Sequence, residues 1–359
     1  MNNVDKQYIE LAKEIIEYGN FKKTRSGNVY SLFGKSMRFD LSEGLPLLTT
    51  KRVYVKGIIH ELIWFLSGNT NIKYLVENNV HIWDDDAYRY YSELYDLKLE
   101  LSKTIEYDSE LKSKATKEEF LDRVMNGKTA SMMKKDGDDI VVFKYRYGDL
   151  GKIYGTQWRN QGEKHIDQIS KLVETLKNNP DDRRMLCMAW NSNDLSDMAL
   201  PPCHYGFQLY TRKLDNNERL QWLWNHSNGE YDEWKFASHE TLDGLNVPKL
   251  ELSLMYNMRS NDFCCGQPYN TAEYAMLVYM LCEVCNMSPG EVIFNGGDVH
   301  IYENHLDGIK EQITRNGSDE LPTLRFKRKV NDIFDFKYDD FIIEGYNPDP
   351  PIKFNLNVG

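Results

Sequence analysis

The chain has 359 residues, 41% of them hydrophobic and 13% aromatic, enough apolar material to bury a large core as one big domain or two. A net charge of -11 argues against nonspecific binding of DNA or RNA over the whole surface, so no stable nucleic-acid partner is expected. It leaves room for a local basic pocket that takes a phosphate. The apolar runs are far too short to span a bilayer, and Met1 to Lys6 lacks the basic-then-apolar pattern of a secretion signal. Cysteines at 187, 203, 264, 265, 282 and 285 show no disulfide-framework spacing, so a soluble protein of a reducing cytoplasm is expected.

Tyr8, Ile9, Leu11, Ala12, Ile15 and Ile16 recur at helical spacing and predict a helix over 5–20. Val29 to Phe39 alternates like a strand, with a bend or bulge at Gly34. Lys56 to Leu66 is a strongly apolar helix carrying one acid, Glu61, and Ser67-Gly68-Asn69 ends it. That acid is either a solvated edge residue or one placed for chemistry. From about 88 to 145 Tyr, Lys, Glu and Ser dominate, with helical stretches at 89–103 and 116–125 and a turn at Lys135 to Asp139; this segment reads as an appended surface subdomain. An amphipathic helix over 166–176 precedes strand-like 185–190 and 204–211, and polar 212–248 interrupts what otherwise reads as a hairpin. Ala272 to Cys285 predicts a long buried helix, which makes Cys282 and Cys285 core thiols despite their C-x-x-C spacing. No second cysteine pair or nearby His completes a zinc set, and no metal is expected. The Pro-rich stretch 345–353 reads as extended chain on the surface, and no internal repeat is evident.

The chemistry concentrates around Ala199-Leu200-Pro201-Pro202-Cys203-His204. Two prolines fix the backbone ahead of Cys203, and a thiol so held becomes a nucleophile if a nearby cation lowers its pKa. Arg183, Arg184 and Arg259, with Ser260 beside the last, suit an oxyanion because guanidinium forks bind phosphate in pairs of hydrogen bonds. Gly296-Gly297-Asp298-Val299-His300-Ile301-Tyr302 places His300 and Tyr302 on one strand face, a spacing that suits two sugar hydroxyls and equally a core His and Tyr. The side-chain amide of Asn270 offers one donor and one acceptor, complementary to N3–H and O4 of uracil.

These motifs, with Leu47-Leu48-Thr49-Thr50-Lys51-Arg52, His60-Glu61-Leu62-Ile63-Trp64-Phe65-Leu66-Ser67-Gly68 and Tyr154-Gly155-Thr156-Gln157-Trp158-Arg159, stand in an order that closely resembles the thymidylate synthase family. The resemblance runs from about Ser31 to Ile352. It implies an α/β (α+β) thymidylate-synthase fold: one domain over 1–359 with insertions at about 88–145 and 212–248, and a large mixed sheet packed at a homodimer interface. It implies dUMP as substrate and 5,10-methylenetetrahydrofolate as cofactor. Cys203 would attack C6 of the base, with Arg259 holding phosphate and steadying the thiolate. Arg183 and Arg184 would reach the partner subunit's phosphate site, and Arg25 would be the fourth arginine. Ser260, His300 and Tyr302 would hold phosphate and sugar, and Asn270 would read the base. Asp262, Lys51, Trp83 and Gly266 would contact the folate, while Glu61 and Tyr154 would order water and protons.

Four departures from the family bear on the reaction. Met258-Arg259-Ser260-Asn261-Asp262 resembles phage deoxycytidylate hydroxymethylases, which add water to the exocyclic methylene where synthases add hydride. Trp83-Asp84-Asp85-Asp86 puts a carboxylate where a bulky apolar wall is usual, Cys264-Cys265-Gly266 makes another wall smaller and more polar, and the end Asn357-Val358-Gly359 differs from the usual sealing residues. Asn270 stands where deoxycytidylate enzymes carry Asp, which favours uracil, because the wrong base would leave a buried polar group unpaired. The expectation is a dUMP hydroxymethylase, with thymidylate synthesis as the alternative.

Overall fold

The structure is a computed structural model that describes residues 1–104, 113–227 and 237–357. The insertions' segments 105–112 and 228–236, and the last two residues on which the carboxy-end expectation rests, lie outside the described residues.

In chain order the elements are α1 (Asn3–Tyr18), β1 (Asn20–Thr24), β2 (Gly27–Asp40), α2 (Val55–Leu66), α3 (Lys73–Glu77), α4 (Asp84–Thr104) and α5 (Lys117–Met125). A hairpin of β3 (Thr129–Asp136) and β4 (Asp139–Arg146) follows, then α6 (Tyr154–Arg159), α7 (Gln168–Asn178), β5 (Leu186–Met188), β6 (His204–Lys213), α8 (Asn216–His226) and α9 (His239–Gly244). The chain continues through β7 (Leu250–Asp262), α10 (Gly266–Cys285), β8 (Ser288–Tyr302), α11 (Leu306–Gln312), β9 (Thr323–Phe326) and β10 (Phe341–Glu344). No helix among the described residues is long and apolar enough to cross a membrane.

A six-stranded sheet in the order β1-β2-β8-β7-β6-β5 organises the molecule. Its neighbours are antiparallel except β7 and β8, which run parallel and are joined by α10. A parallel pair needs such a crossover, because a tight turn can only reverse the chain. Alternate residues of β7 (Leu252, Leu254, Tyr256, Met258) are buried, and α10 packs on the sheet with nearly its whole circumference covered. The mixed sheet flanked by helices is the fold that the resemblance implies.

Helix α10 starts six residues earlier than its apolar run suggests. Pro268 is tolerated in its first turn, where the missing N–H has no intrahelical acceptor, and this puts Asn270 on the helix. The turn expected at Lys135 to Asp139 joins two strands, β3 and β4, which the polar composition had masked. Around 88–145 the apolar side chains are not a loose surface layer: Tyr91 packs on Phe120 and Tyr147, each at 5.3 Å between ring centroids, within the apolar cluster that also holds the sheet. The 212–248 stretch keeps a small cluster of its own, Leu223, Ala237, Leu242 and Val247. It separates β6 from β7, which pair as the interrupted hairpin predicts.

The amino-terminal helix is tied to the segment ahead of Lys51 by one buried carboxylate. Asp5 accepts from the amides of Thr49 and Thr50, from both threonine hydroxyls and from the Asn2 side chain. Replacing Asp5 by Ala leaves the amides and hydroxyls of Thr49 and Thr50 without that acceptor, while the Asn2 amide keeps the Ser318 carbonyl. It should lower stability by about 3 kcal/mol, read as a fall in the urea midpoint with unchanged slope; a change below about 0.5 kcal/mol would show that the cluster does not hold the helix.

Candidate active site

Cys203 lies just before β6, and Arg259 of β7 fixes it there. The Arg259 amide donates to the Cys203 carbonyl at 2.9 Å, its Nε to the Pro202 carbonyl at 2.9 Å and its Nη2 to the Pro201 carbonyl at 2.8 Å. The same Nη2 stands 3.8 Å from Cys203 Sγ. Gly297 of β8 makes this geometry possible, since a Cβ there would sit 3.0 Å from the Arg259 carbonyl oxygen. Burial raises the Cys203 thiol above its usual range, the Arg259 charge opposes that, and Asp86 and Asp262 reinforce it. The thiol therefore rests neutral beside the cation that would favour its thiolate.

His204, next in the chain, is no base for Cys203. Its ring stacks on Tyr154 at 4.2 Å, its Nδ1 is 2.7 Å from the Tyr274 hydroxyl, and burial drives its pKa down to about 3. Tyr154 accepts the Cys203 amide proton at its own hydroxyl, 2.8 Å away.

Cys203 opens into a cavity of about 480 Å³. Glu61, Trp83, Tyr154, Asp262, Asn270, Lys51 and Gly266 all line it, so eight sequence-selected residues, with Cys203, meet in one place. Glu61 is deeply buried on α2 and accepts from Trp83 Nε1 at 2.6 Å; burial lifts its carboxyl to about 7. Of the two alternatives for this acid, the structure puts it in the cavity wall. Asp262 ends β7, where one carboxylate oxygen accepts from the amides of Cys264 and Cys265 at 3.0 and 3.1 Å. Lys51 is buried, donates to the Cys264 carbonyl, and lies 4.4 Å over the Phe354 ring.

The three-acid run at 84–86 divides by role. Asp84 pairs with His81 at 2.8 Å and Asp85 with Lys117, while Asp86 lines the cavity, held by Arg89 at 3.1 Å. Burial raises Asp86 above the usual carboxylate range against the pull of Arg89. Cys264 and Cys265 line the cavity beside Gly266, as the altered wall predicts. The extended tail does more than cross the surface: Ile352, Lys353, Phe354 and Leu356 line the same cavity.

The other selected residues lie outside that lining. Arg183 and Arg184 are exposed ahead of β5, with Arg184 paired to Asp182 at 2.8 Å. Arg25 sits in the β1–β2 turn, with its charge reaching Asp86. Ser260 is opposite Asp298 in the β7–β8 register, and His300 is opposite Asp262. His300 Nδ1 stands 3.1 Å from Asp298, and the Tyr302 ring is 5.1 Å from that of His300. Cys282 and Cys285 are pushed up by burial, Cys285 to about 11, as expected of core thiols.

Sequence reasoning passed over Glu273. It lies one turn past Asn270 on α10, 2% exposed, with neither carboxyl oxygen well hydrogen-bonded. Burial raises it well above the carboxylate range and the Glu61 charge adds to that, while the Asn270 amide opposes weakly. An acid in an apolar helix is the signal that singled out Glu61; α10 carries two, Glu273 and Glu283, and only the burial of Glu273 tells them apart.

A clamped thiol beside a guanidinium, with acids lining the same cavity, is an arrangement in which a cysteine can act as a nucleophile. The thymidylate synthase family profile matches residues 6–358. The chain is 37% identical to proteins named thymidylate synthase from Listeria innocua serovar 6a and Listeria monocytogenes serotype 4b, over 98% of this chain and 100% of theirs. The chain belongs to the thymidylate synthase family, whose members are one-carbon transferases.

Glu61 keeps its proton in the folded chain to about pH 7, while the unfolded chain releases it near 4.5. The folded state thus holds the extra proton between these values, and stability falls as pH rises through them, by on the order of 3 kcal/mol. Because His204 acts in the opposite sense below pH 6.5, the comparison that isolates Glu61 is the unaltered chain against Glu61→Gln, each denatured at pH 5 and pH 7.5, and the unaltered chain should lose about 2 kcal/mol more than the variant over that interval. An unchanged slope in Glu61→Gln would mean that Glu61 is ionised throughout.

Proposed function

We propose that the protein is a dUMP hydroxymethylase, joining a one-carbon unit from 5,10-methylenetetrahydrofolate to C5 of dUMP and capturing it with water. The observation that carries this reading is Asp86, a carboxylate in the cavity wall alongside Trp83 and Cys203. The aromatic and apolar lining of Trp83, Tyr269, Ile82 and Phe354, together with the oriented carboxylate of Asp262, suits a pterin, and Lys51 supplies a cation nearby. When bound, the folate supplies the one-carbon unit at the methylene oxidation level.

Cys203 loses its proton and its sulfur adds to C6 of the uracil, sending an electron pair toward C5 and O4. Arg259 holds the sulfur in place and stabilises its charge. The Asn270 amide reads N3–H and O4, which selects uracil over cytosine. Glu61, neutral up to about pH 7, places a proton near O4. C5 would bond to the one-carbon unit and give up its hydrogen as a proton, matched by the proton that the folate amine would carry away as its bond to that carbon breaks, and Asp86 would hold the water that adds to the resulting exocyclic methylene carbon and take up its proton. Elimination of Cys203 from C6 then restores the ring and frees the thiolate.

One observation favours the second reading, dTMP synthesis by hydride transfer. Phe354 and Leu356 line the cavity together with Trp83, an apolar cover of the kind that excludes water. Incubating the enzyme with dUMP and methylenetetrahydrofolate and weighing both products separates the two. Hydroxymethyl-dUMP with tetrahydrofolate is expected, and Asp86→Asn should lower its formation roughly 10–100-fold. dTMP with dihydrofolate from the unaltered enzyme would overturn water capture.

The sites work as a homodimer in this reading. Arg183 and Arg184 are exposed away from the cavity of their own chain, and Phe33, Tyr210 and Leu186 leave apolar surface uncovered on the sheet strands. Mixing Cys203→Ala subunits with Arg183→Ala/Arg184→Ala subunits should restore roughly a quarter of the wild-type activity, because half of the random dimers then hold one intact site. No recovery on mixing, with dimers shown by light scattering, would place the phosphate arginines within one chain.

A further inference from the structure

We propose that Asp262, Cys265 and His305 form a binding site for a zinc-like divalent cation at the edge of the active cavity. One oxygen, sulfur or nitrogen from each lies within 4.8 Å of the others. A tetrahedral zinc ion with one sulfur and two lighter ligands holds them about 3.5 Å apart, so side-chain rotation that brings the farthest pair in by about 1 Å closes the set. Linear spacing hides it, because His305 is 40 residues beyond Cys265 and on the far side of α10 and β8.

The second observation is the state of His305. It is 1% exposed, and its Nε2 donates to the Asn355 carbonyl at 2.7 Å, which fixes the proton on that nitrogen. Nδ1 has no hydrogen-bond partner and stands 3.8 Å from an Asp262 oxygen. An unpartnered ring nitrogen facing a carboxylate oxygen offers two ligand atoms to a cation, and the cobalt titration below distinguishes a bound metal from a proton held there. An imidazole whose other nitrogen donates to a backbone carbonyl is the arrangement that orients metal-bound histidines, and the amides of Cys264 and Cys265 orient Asp262 likewise.

The donor set selects the ion. A thiolate and an imidazole favour Zn²⁺ and its neighbours over Mg²⁺ or Ca²⁺, which take oxygen ligands. On binding, the Cys265 thiol gives its proton to solvent and a sulfur–metal bond forms, with no change of oxidation state. The two anionic ligands then neutralise the dication. The Lys51 ammonium is the nearby charge that opposes it, and burial already weakens that cation's hold on its proton. A metal so placed occupies Asp262, so it competes with the folate; this consequence, unlike the site, rests on the function proposed above.

Co²⁺ titration of the full chain tests it, read by the thiolate-to-cobalt absorption band and back-titration with Zn²⁺. One Co²⁺ per chain is expected, with the band lost in Cys265→Leu and in His305→Gln and kept in Cys203→Ser, each first shown folded by circular dichroism. No band at a tenfold excess of Co²⁺, or a band that survives Cys265→Leu, overturns the site. Zn²⁺ inhibition that folate relieves and dUMP does not would support the competition. Cobalt binding without such relief would overturn the competition and leave the metal site standing.

Discussion

Arg259 holds the structure's chemistry together. One residue donates to three successive carbonyls across Pro201, Pro202 and Cys203, and the same guanidinium faces the sulfur. The prolines cannot donate in return, so their carbonyls are free to be gripped and their rings keep the turn from relaxing. The β-bulge between His204 and Gly206 lets β6 leave that turn and rejoin β7 in register. Remove the guanidinium and Cys203 loses both its backbone clamp and the charge beside its sulfur.

Around that clamp the protein buries acids without full partners. Glu61 has a single indole donor, and Glu273 has no well-formed hydrogen bond. Carboxyls in such surroundings stay protonated, and two that sense each other's charge resist ionising together. Glu61 thereby brings to the cavity wall a carboxyl that keeps its proton up to about pH 7, at the expense of stability above that pH. His204 shows the opposite solution, where burial keeps a basic group neutral and makes it a wall for Tyr154.

What was legible in the sequence was local. Two prolines before a cysteine, an acid in an apolar helix, and paired glycines in a strand each carry their physical reason within a few residues, and Cys203, Glu61 and Gly297 stand where those reasons put them. The long helix was legible as buried, yet its start was not, because Pro268 reads as a breaker and only the first-turn exemption admits it. Strands β3 and β4 were hidden by the polar residues Lys135, Asp139 and Lys144, which face solvent. Asp86 was visible as an odd carboxylate, but its separation from Asp84 and Asp85 depends on partners at His81, Lys117 and Arg89. His305 and Asn355 meet only through the tail's path over the cavity, which no spacing rule reports.

The parallel pairing of β7 and β8 through α10 also shapes how the protein is made. Residues at 61, 86, 154, 203, 262, 270 and 354 converge on one cavity, so the contacts that define it span nearly the entire chain. Chains dominated by such distant contacts fold slowly, because loop-closure entropy is lost before the contacts form. The cavity around Cys203 is therefore not complete on a nascent chain until the tail residues Ile352, Lys353, Phe354 and Leu356, which form part of its wall, have left the ribosome.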